Sequence, residues 1–466
     1  SWEQIEYYDG RSSTGPRDPQ GSQAFAAPAQ RLAEPPDLLF TPLPDSGSGS
    51  PRFVTHGLGY DAIVGPSNVS LTWSQNTLGA GDLLIDMIGA DARADLIQPI
   101  TTAGNQISSV SYDDIYAGIE EAKDYVLFQF YILRADASGN RFKQQLIRKA
   151  SEGVDVYVLY DELGSSGLKA PWLDGFRQAG IKIIPFNTRQ GKRNRFQLNF
   201  RNHRKIVIVD GRSAWVGGLN IGDEYLGEHR TLSPWRDTHL RITGPAALLA
   251  QSIVWSDWYW ADRDLLRGLS WEPYLAPGHE DLEQGKEVLI LDSGPDHSLE
   301  TASLFFTHTM NIARERIWIA TPYFIPDMAT MAALRLALLK NLDVRILTPA
   351  LNDNWFVNHA ANVYLSELSQ LGAKVYFYEE GFMHQKVMLV DNKTAVVGTV
   401  NFDNRSFRLN FEVSGIVADY EFALEVERML ENDLKNSTHV VDYDLSKESL
   451  WEQFKAHASA LLAPVL

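Results

Sequence analysis

One pattern occurs twice in this chain at a fixed separation, and it constrains the fold more than any other feature of the sequence. The first copy reads RNHRKIVIVDGRSAWVGGLN at positions 201–220, and the second reads MHQKVMLVDNKTAVVGTVN at positions 383–401. Four residues of the first copy recur 181 positions downstream: His203 as His384, Lys205 as Lys386, Asp210 as Asp391 and Asn220 as Asn401. Two copies in one register indicate a duplicated unit with one shared site, rather than two coincidences.

Short apolar runs alternate with amphipathic segments around both copies, which is typical of a mixed or parallel sheet covered by helices on both faces. The first half is predicted to contain strands at 106–110, 125–132, 155–160 and 182–186 and helices at 112–123, 139–151, 173–179 and 245–262. The second half is predicted to contain strands at 286–291, 316–321, 343–347 and 374–378 and helices at 301–314, 328–339, 360–371 and 421–435. The predicted fold class is therefore α/β, with two duplicated halves, each a mixed or parallel β-sheet flanked by helices, and an active site at the interface between the halves.

The same patterns divide the chain into four predicted segments. Residues 1–68 are rich in Pro, Gly and Ser and are expected to form an extended arm, while 263–285 is expected to link the two halves. The halves themselves are predicted at 69–262 and 286–466, the second of them ending in C-terminal helices. The first helix is predicted at Ala80–Ala90, where apolar residues recur at helical spacing.

The composition limits the kinds of site that the chain can carry. It contains no cysteine, which excludes disulfides and thiolate metal sites. The formal net charge of −17 argues against a broad nucleic-acid-binding surface, because such a surface is built from Lys and Arg. No apolar run approaches the ~18 residues that a membrane-spanning helix needs. Any transmembrane anchor is therefore expected to lie outside this chain.

The duplicated pattern suits chemistry at a phosphoryl group. Residues at i and i+2 of a strand share a face, so each histidine projects beside the lysine that follows it. The imidazole can attack phosphorus while the ammonium group stabilises the negative charge. With two such halves face to face, one histidine can act as nucleophile and the other as general acid for the leaving alkoxide. Asn220 and Asn401 are predicted to bind the phosphate, and the lysines and asparagines together make a metal or another cofactor unnecessary.

A single H-x-K pattern on an apolar strand is usually incidental, so the weight of this interpretation rests on the duplication. Both copies resemble the paired HKD motifs of the phospholipase D superfamily, and the flanking residues resemble the bacterial cardiolipin synthases of the phospholipase D type. The segments that carry this resemblance are FQFYI (128–132), LYDELGS (159–165), GGLNIGDEYLG (217–227), PWRDTH (234–239), TPYFIPD (321–327), VGTVNFDNRSF (397–407), LNFEV (409–413) and the LLAPVL ending.

This resemblance implies two phospholipase D-like halves and a two-step transfer of a phosphatidyl group between two phosphatidylglycerol molecules, giving cardiolipin and glycerol. It implies that His203 is the nucleophile, that Glu412 orients His203 and that Asp237 orients His384, each carboxylate coming from the opposite half. Asp210 and Asp391 belong to the same predicted catalytic set, although they are expected to hold the local fold rather than contact substrate. The partners implied are phosphatidylglycerol, cardiolipin and the surface of a bacterial inner membrane, with no nucleic acid.

Several alternatives remain open at this stage. The chain could be a hydrolytic phospholipase D that releases phosphatidic acid, a transferase to another alcohol, a nuclease of the same superfamily or a lipid-binding scaffold without activity. The basic insertion at 187–202 is either a solvated loop or a lid that binds headgroups. The Trp-rich segment 245–262 and the apolar end 450–466 could pack in the core or lie at a membrane. Candidates for headgroup contacts and for the lid are Tyr131, Arg193, Arg195, Tyr323 and Phe324.

Overall fold

The computed structural model describes residues 41–42, 53–57, 60–64, 69–73, 81–85, 91–96, 112–186, 200–274, 286–297 and 299–463. These belong to two compact units, Ser1–Met87 and Ile88–Leu466. The predicted strand at 106–110 and most of the basic insertion lie outside the described residues.

The first unit contains a five-stranded antiparallel sheet with the strands in sequence order. Its strands are β1 (Thr41–Pro42), β2 (Phe53–Gly57), β3 (Tyr60–Val64), β4 (Val69–Trp73) and β5 (Gly81–Ile85). The predicted helix Ala80–Ala90 is wrong, because its first part is the strand β5, which pairs with β4. A short apolar run fits either periodicity, and here the neighbouring strand decides the outcome. The predicted end of the arm at residue 68 falls between β3 and β4.

In the second unit, a 16-stranded sheet runs through both halves. The first half contributes α1 (Asp113–Glu120), α2 (Ala137–Ser151), α3 (Ala170–Gln178) and α4 (Ala246–Asp262). Its strands are β6 (Asp91–Leu96), β7 (Tyr125–Phe130), β8 (Asp155–Asp161), β9 (Lys182–Phe186), β10 (Arg201–Asn202), β11 (Ile206–Val209), β12 (Ser213–Gly217), β13 (Trp235–Arg236) and β14 (His239–Thr243).

The second half repeats this order. Its strands are β15 (Lys286–Ser293), β16 (Arg316–Ala320), β17 (Phe324–Ile325), β18 (Asp343–Pro349), β19 (Lys374–Tyr378), β20 (Phe382–Met383), β21 (Val387–Val390), β22 (Thr394–Gly398), β23 (Phe402–Asp403), β24 (Asn410–Ala418) and β25 (Ser437–Val440). Its helices are α5 (Thr301–Ile312), α6 (Met328–Leu339), α7 (Trp355–Gln370), α8 (Asn404–Arg408), α9 (Tyr420–Lys435) and α10 (Leu450–Ala460).

The pairing of the strands follows the duplication. β7, β8 and β9 are parallel to one another in the first half, as are β16, β18 and β19 in the second. β11 and β12 add antiparallel strands to the first set, and β21 and β22 add them to the second. The predicted α/β class with two duplicated mixed sheets is therefore confirmed.

The largest hydrophobic core joins the two halves, because it contains Val216 and Leu240 from the first half together with Val397 and Val413 from the second. Burying one such side chain contributes roughly 1.5–3 kcal/mol, so separating the halves would expose many of them at a high cost. The Trp-rich helix α4 also belongs to this core: Trp258 is buried and its neighbouring tryptophans pack against the cluster. The core-packing interpretation of that segment is therefore the right one. Within the described ranges, no helix has the length and apolar character needed to cross a membrane.

Candidate active site

Two short parallel strand pairs connect the halves and bring the motif histidines to one place. β10, just before His203, pairs with the start of β24, and β20, just before His384, pairs with β13. The backbone N–H of His203 then donates to the Phe411 carbonyl over 2.9 Å, and that of His384 donates to the Arg236 carbonyl over 2.7 Å. Each histidine is thereby fixed beside the residue that follows its backbone partner, in the opposite half.

Those following residues are the two carboxylates that the sequence interpretation selected. The Nδ1 atom of His203 lies 2.9 and 3.0 Å from the carboxylate oxygens of Glu412, and the Nδ1 atom of His384 lies 2.8 Å from Asp237 Oδ2. Both carboxylates are buried, with exposed fractions of 0% and 1%. Because an ionised carboxylate only accepts hydrogen bonds, Nδ1 of each imidazole carries a proton and Nε2 is the atom available for attack or proton transfer.

A glycine in each copy lets these strands approach closely. A Cβ atom built on Gly217 would lie 2.5 Å from the Cα atom of His239, which begins the strand after Asp237. In the second half, a Cβ atom on Gly398 would meet the Val413 carbonyl in the same way, directly after Glu412. Glycine is needed at both positions so that the chain next to each carboxylate can lie against the motif strand.

The motif lysines are buried beside the histidines. Lys205 Nζ donates to the His203 carbonyl and Lys386 Nζ donates to the His384 carbonyl, each over 2.5 Å. Burial lowers the pKa of Lys386 to about 8, and burial together with the charge of Lys386 holds the pKa of Lys205 well below its usual range, despite the nearby carboxylates. The two ammonium groups are thus within electrostatic range of each other, and an anion bound between them would favour their charged forms.

The same environment acts on the imidazoles. Burial lowers the pKa of His203 to about 4 against the opposing effect of Glu412, and the charges of both lysines lower it further. Burial and the adjacent Lys386 lower the pKa of His384 to about 4 as well. Without a bound anion, both histidines are therefore neutral at neutral pH, and the carboxylates are ionised.

The two predicted phosphate-binding asparagines are held differently. Asn220 is fixed by two hydrogen bonds of 3.0 Å, because its Oδ1 accepts from the Ile132 backbone and its Nδ2 donates to the Tyr225 hydroxyl. Asn401 is also buried, but its Oδ1 has no hydrogen-bond partner among the described residues. A buried acceptor of this kind is suited to a hydroxyl group of a substrate or to a water molecule.

The motif aspartates lie away from the histidines. Each is five residues beyond its lysine, which along a strand corresponds to roughly 16 Å. The Asp210 carboxylate accepts from the backbone N–H groups of three successive residues, 123–125, over 2.8–2.9 Å, and Asp391 does the same for 314–316 over 2.8–3.2 Å. Their inclusion in the predicted catalytic set is therefore corrected: both carboxylates tie the start of a neighbouring strand to the motif turn, as the expected local role requires.

Replacing Asp210 or Asp391 with alanine is expected to destabilise the fold by about 2–3 kcal/mol, because several backbone donors lose a charged acceptor. Both residues also have positive φ, 53° and 51°, which alanine adopts less readily than aspartate. Urea unfolding measures the loss, and the kcat of the fraction that stays folded should change less than about threefold. A large fall in kcat without loss of stability would contradict the structural role.

The headgroup candidates have different positions. The Tyr131 ring lies 4.9 Å from the His203 ring and 5.2 Å from Lys205 Nζ, so it borders the site. The hydroxyl of Tyr323 donates to Asp353 over 2.8 Å, near the end of the loop before α7. Phe324 is buried against Phe402 in the core and is ruled out as a lid residue. Arg193 and Arg195 lie outside the described residues.

Sequence reasoning missed the groups that surround each histidine. The rings of Trp235, Phe382 and Tyr225 lie 5.2, 5.7 and 6.5 Å from that of His384. On the other side, Thr399 and Asn410 donate to the Glu412 carboxylate over 2.6 and 3.0 Å. The sequence did contain one indication of these groups: Trp235 and Asn410 each lie two residues before an orienting carboxylate. One histidine is therefore enclosed by aromatic rings, whereas the partner of the other is held by polar groups.

Two buried arginines were also missed, and they hold the backbone of the carboxylates. Arg204, between the motif histidine and lysine, donates to the Glu412 carbonyl over 2.9 Å and pairs with Asp257 over 2.5 Å. Arg236 donates to the Asp237 carbonyl over 2.5 Å and pairs with Asp433 over 2.9 Å. Since Asp257 lies on α4 and Asp433 on α9, one helix of each half is connected to the site through an ion pair.

In the described ranges, no group of three or more His, Asp or Glu side chains is arranged to hold a metal ion. What the arrangement offers is two imidazoles with free Nε2 atoms, two buried ammonium groups and two buried amides. This set can bind a phosphodiester, attack it and protonate its leaving group.

Comparisons with known proteins agree with the fold and the motifs. A family model described as "Cardiolipin synthase, PLD-like domain" matches residues 115–232 and 306–434. A cardiolipin synthase A from Pseudomonas putida is 44% identical over 369 residues, which cover 78% of this chain and 76% of the relative. A cardiolipin synthase A from Pseudomonas aeruginosa is 43% identical over 383 residues, covering 81% and 77%. The fold is also similar to the crystal structure of a phosphatidylserine synthase from Haemophilus influenzae, with a TM-score of 0.59 at 17% identity over 76% of this chain and 93% of that one.

Proposed function

The chain belongs to the cardiolipin synthase family of phospholipase D-like proteins, and we propose that it joins two molecules of phosphatidylglycerol to give cardiolipin and glycerol. The observation that carries this proposal is the crossed pairing of His203 with Glu412 and of His384 with Asp237, which gives one site two imidazoles of fixed orientation. The names of the relatives point to cardiolipin as the product, and the geometry of the site supports phosphoryl transfer. The chain is therefore a phosphatidyltransferase.

In the first step, His203 Nε2 attacks the phosphorus of one phosphatidylglycerol. A P–N bond forms, the bond from phosphorus to the glycerol oxygen breaks, and that oxygen takes a proton from His384. The buried Lys205 and Lys386 stabilise the charge on the phosphoryl oxygens, in a site where few water molecules screen it. Glycerol leaves, and the phosphatidyl group remains on His203.

In the second step, the neutral His384 accepts the proton of a primary hydroxyl on the second phosphatidylglycerol. That oxygen attacks phosphorus and the P–N bond breaks, which releases cardiolipin and restores both imidazoles to their starting states. His384 must be protonated when the first substrate is bound, although burial lowers its pKa to about 4 without an anion. The negative phosphodiester raises this pKa on binding, so substrate itself supports the protonation that the first step requires.

The environment of the site supports transfer to a lipid alcohol over hydrolysis. The aromatic rings of Trp235, Phe382 and Tyr225 enclose His384, the base that activates the second hydroxyl. An apolar enclosure of this kind disfavours an isolated water molecule and accommodates the carbon chain of glycerol. We place the work of the enzyme at the bacterial inner membrane, where its lipid substrates are.

The test is an assay with phosphatidylglycerol labelled in the phosphatidyl group. Cardiolipin and free glycerol are expected in equal amounts, with phosphatidic acid below about a tenth of the product. If phosphatidic acid is the main product, the protein is a hydrolytic phospholipase D and this proposal is wrong. Cleavage of single-stranded DNA without any lipid product would favour a nuclease instead.

A further inference from the structure

A large apolar surface faces solvent on the C-terminal side of the second half. It lies on the start of α7 and along α10, and its members are exposed by 50% to 84%. We call it the α7–α10 face and define it by Trp355, Phe356, Leu450, Trp451, Phe454 and Leu461. Soluble proteins rarely leave so many large apolar side chains exposed together, so such a face usually has an occupant.

Contacts connect the aromatic members of the face. The rings of Trp451 and Phe454 stack at 5.5 Å, and those of Trp355 and Phe356 meet edge to face at 4.9 Å. His359 joins the two helices, because its ring lies 4.2 Å from Trp355 and its Nε2 lies 3.7 Å from a carboxylate oxygen of Glu452, next to Trp451. Leu450 and Leu461 lie four residues before and seven residues after Phe454, which is the spacing of one side of a helix, so the six residues belong to one surface.

The helices that carry the face are firmly placed. Val357 and Ala360 of α7 form a small buried cluster with Ala463, just beyond α10, and Ala460 of α10 packs against it. The side chain of Ser449 accepts from the Glu452 backbone and begins α10 at a defined residue. The inward sides of the two helices are thus used for packing, and the apolar residues left outside are not a product of a loose helix end.

The face begins next to a residue that interacts electrostatically with the active site. Asp353, two residues before Trp355, accepts the hydrogen bond from the Tyr323 hydroxyl. The Asp353 carboxylate is also near enough to Lys386 for its charge to raise the pKa of that lysine. A short stretch of chain therefore links the exposed aromatic residues to the reacting groups.

We propose that the α7–α10 face docks on the lipid bilayer, so that Trp355, Trp451 and Phe454 enter the interfacial region beside the site. The proposal rests on the proposed function, because substrates with two acyl chains reach a buried site from a bilayer. Tryptophan and phenylalanine partition to this region of the membrane, and a helix with an apolar outer side lies in its plane. The charged residues near the face include both signs, such as Glu452 and Lys455, which pair with each other. Apolar burial rather than attraction to anionic lipid is therefore the source of binding.

The test compares the unmodified chain with a triple variant, Trp355→Ser, Trp451→Ser and Phe454→Ser, in flotation with vesicles of phosphatidylcholine and phosphatidylglycerol. The variant is expected to lose at least about tenfold in partition coefficient, since three large side chains no longer enter the membrane. Binding of the unmodified chain should fall less than about threefold when NaCl rises from 0.1 to 1 M, because screening acts on charges and not on apolar burial. A matched control, Met328→Ser, Leu339→Ser and Tyr420→Ser, removes three other exposed apolar residues, on α6 and α9, and should bind vesicles like the unmodified chain.

Measurements of activity distinguish a failure of the docking surface from a failure of the proposed reaction. With vesicles, the triple variant should lose cardiolipin synthesis in proportion to its binding, whereas with monomeric short-chain phosphatidylglycerol it should keep the unmodified rate within about twofold. Unchanged vesicle binding by the variant would overturn the docking surface. So would a dimer of the unmodified chain that the substitutions dissociate while vesicle binding is kept, because the face would then bind a second copy. Because flotation does not depend on turnover, the docking result stands even if no cardiolipin is formed.

Discussion

Replacing His203 or His384 with alanine is expected to lower kcat for cardiolipin formation by about 10⁴-fold or more. Each imidazole does work that the other cannot do at the same moment, since one carries the phosphatidyl group while the other holds the proton. Both are fixed at Nδ1 by a buried carboxylate, so no neighbouring side chain can take the place of Nε2. The rates are measured with labelled phosphatidylglycerol, and His439→Ala, a substitution of an exposed histidine outside the motifs, is the control.

Acid quenching then separates the roles of the two histidines. The His384→Ala variant keeps the nucleophile and should accumulate a labelled covalent adduct, particularly with a substrate whose leaving alcohol needs no protonation. The His203→Ala variant should give none. An adduct on the His203→Ala variant alone would show that His384 is the nucleophile and His203 the acid and base. The proposed reaction would still hold. Turnover near the unmodified rate in either variant would remove the two-histidine mechanism altogether.

Much of the fold could be predicted from the sequence because apolar runs of two periodicities mark its strands and helices. Strand β19 and helix α6 begin and end where they were expected, since both are apolar runs with clear ends. The helix expected at Ala80–Ala90 was wrong because its short apolar run carries no information about the strand that pairs with it. Local periodicity therefore predicts an element correctly where burial alone determines its conformation. It fails where pairing with a neighbouring strand determines it.

The candidate site could be predicted in part for a similar reason. Residues that repeat at a constant offset, such as His203 and His384, are visible in one sequence. Trp235 and Asn410 occupy matching positions before the two carboxylates but differ in type, so a search for identical pairs could not find them. The sequence pattern marks what the two halves share, while the structure shows where they differ.

The buried arginines illustrate this difference. Arg204 belongs to a motif and Arg236 does not, yet each donates to the backbone carbonyl of an orienting carboxylate and pairs with an aspartate on a distant helix. A buried pair of this kind contributes little net stability, because removing both charges from water is costly. Its effect is on position: the carbonyl of Glu412 or Asp237 cannot shift without breaking an ion pair. The two halves reach one geometry through different residues, which a comparison of the motifs alone does not reveal.

The second large effect is expected from the orienting carboxylates. Glu412→Gln and Asp237→Asn should each lower kcat by about 10³–10⁴-fold while changing the size of the side chain very little. An amide cannot stabilise the imidazolium or the charge on a phosphorylated imidazole as a carboxylate does, and it allows the imidazole to adopt the wrong tautomer. The measurement is kcat with labelled phosphatidylglycerol, together with the melting temperature, and Glu431→Gln on the exposed side of α9 is the control.

The surroundings leave an amide no good orientation at either site. Both Glu412 oxygens accept from His203, and in addition one accepts from Thr399 and the other from Asn410. Either orientation of a glutamine amide would therefore set its NH₂ group against another donor, at a cost of about 1–3 kcal/mol. Asp237 accepts three hydrogen bonds, from His384, Thr238 and, over 3.4 Å, Trp235, against four at Glu412. Its asparagine variant should therefore lose less stability than the Glu412→Gln variant while losing similar activity. A fall in kcat of less than about tenfold in both variants would show that the carboxylates only pack beside the histidines and do not set their protonation.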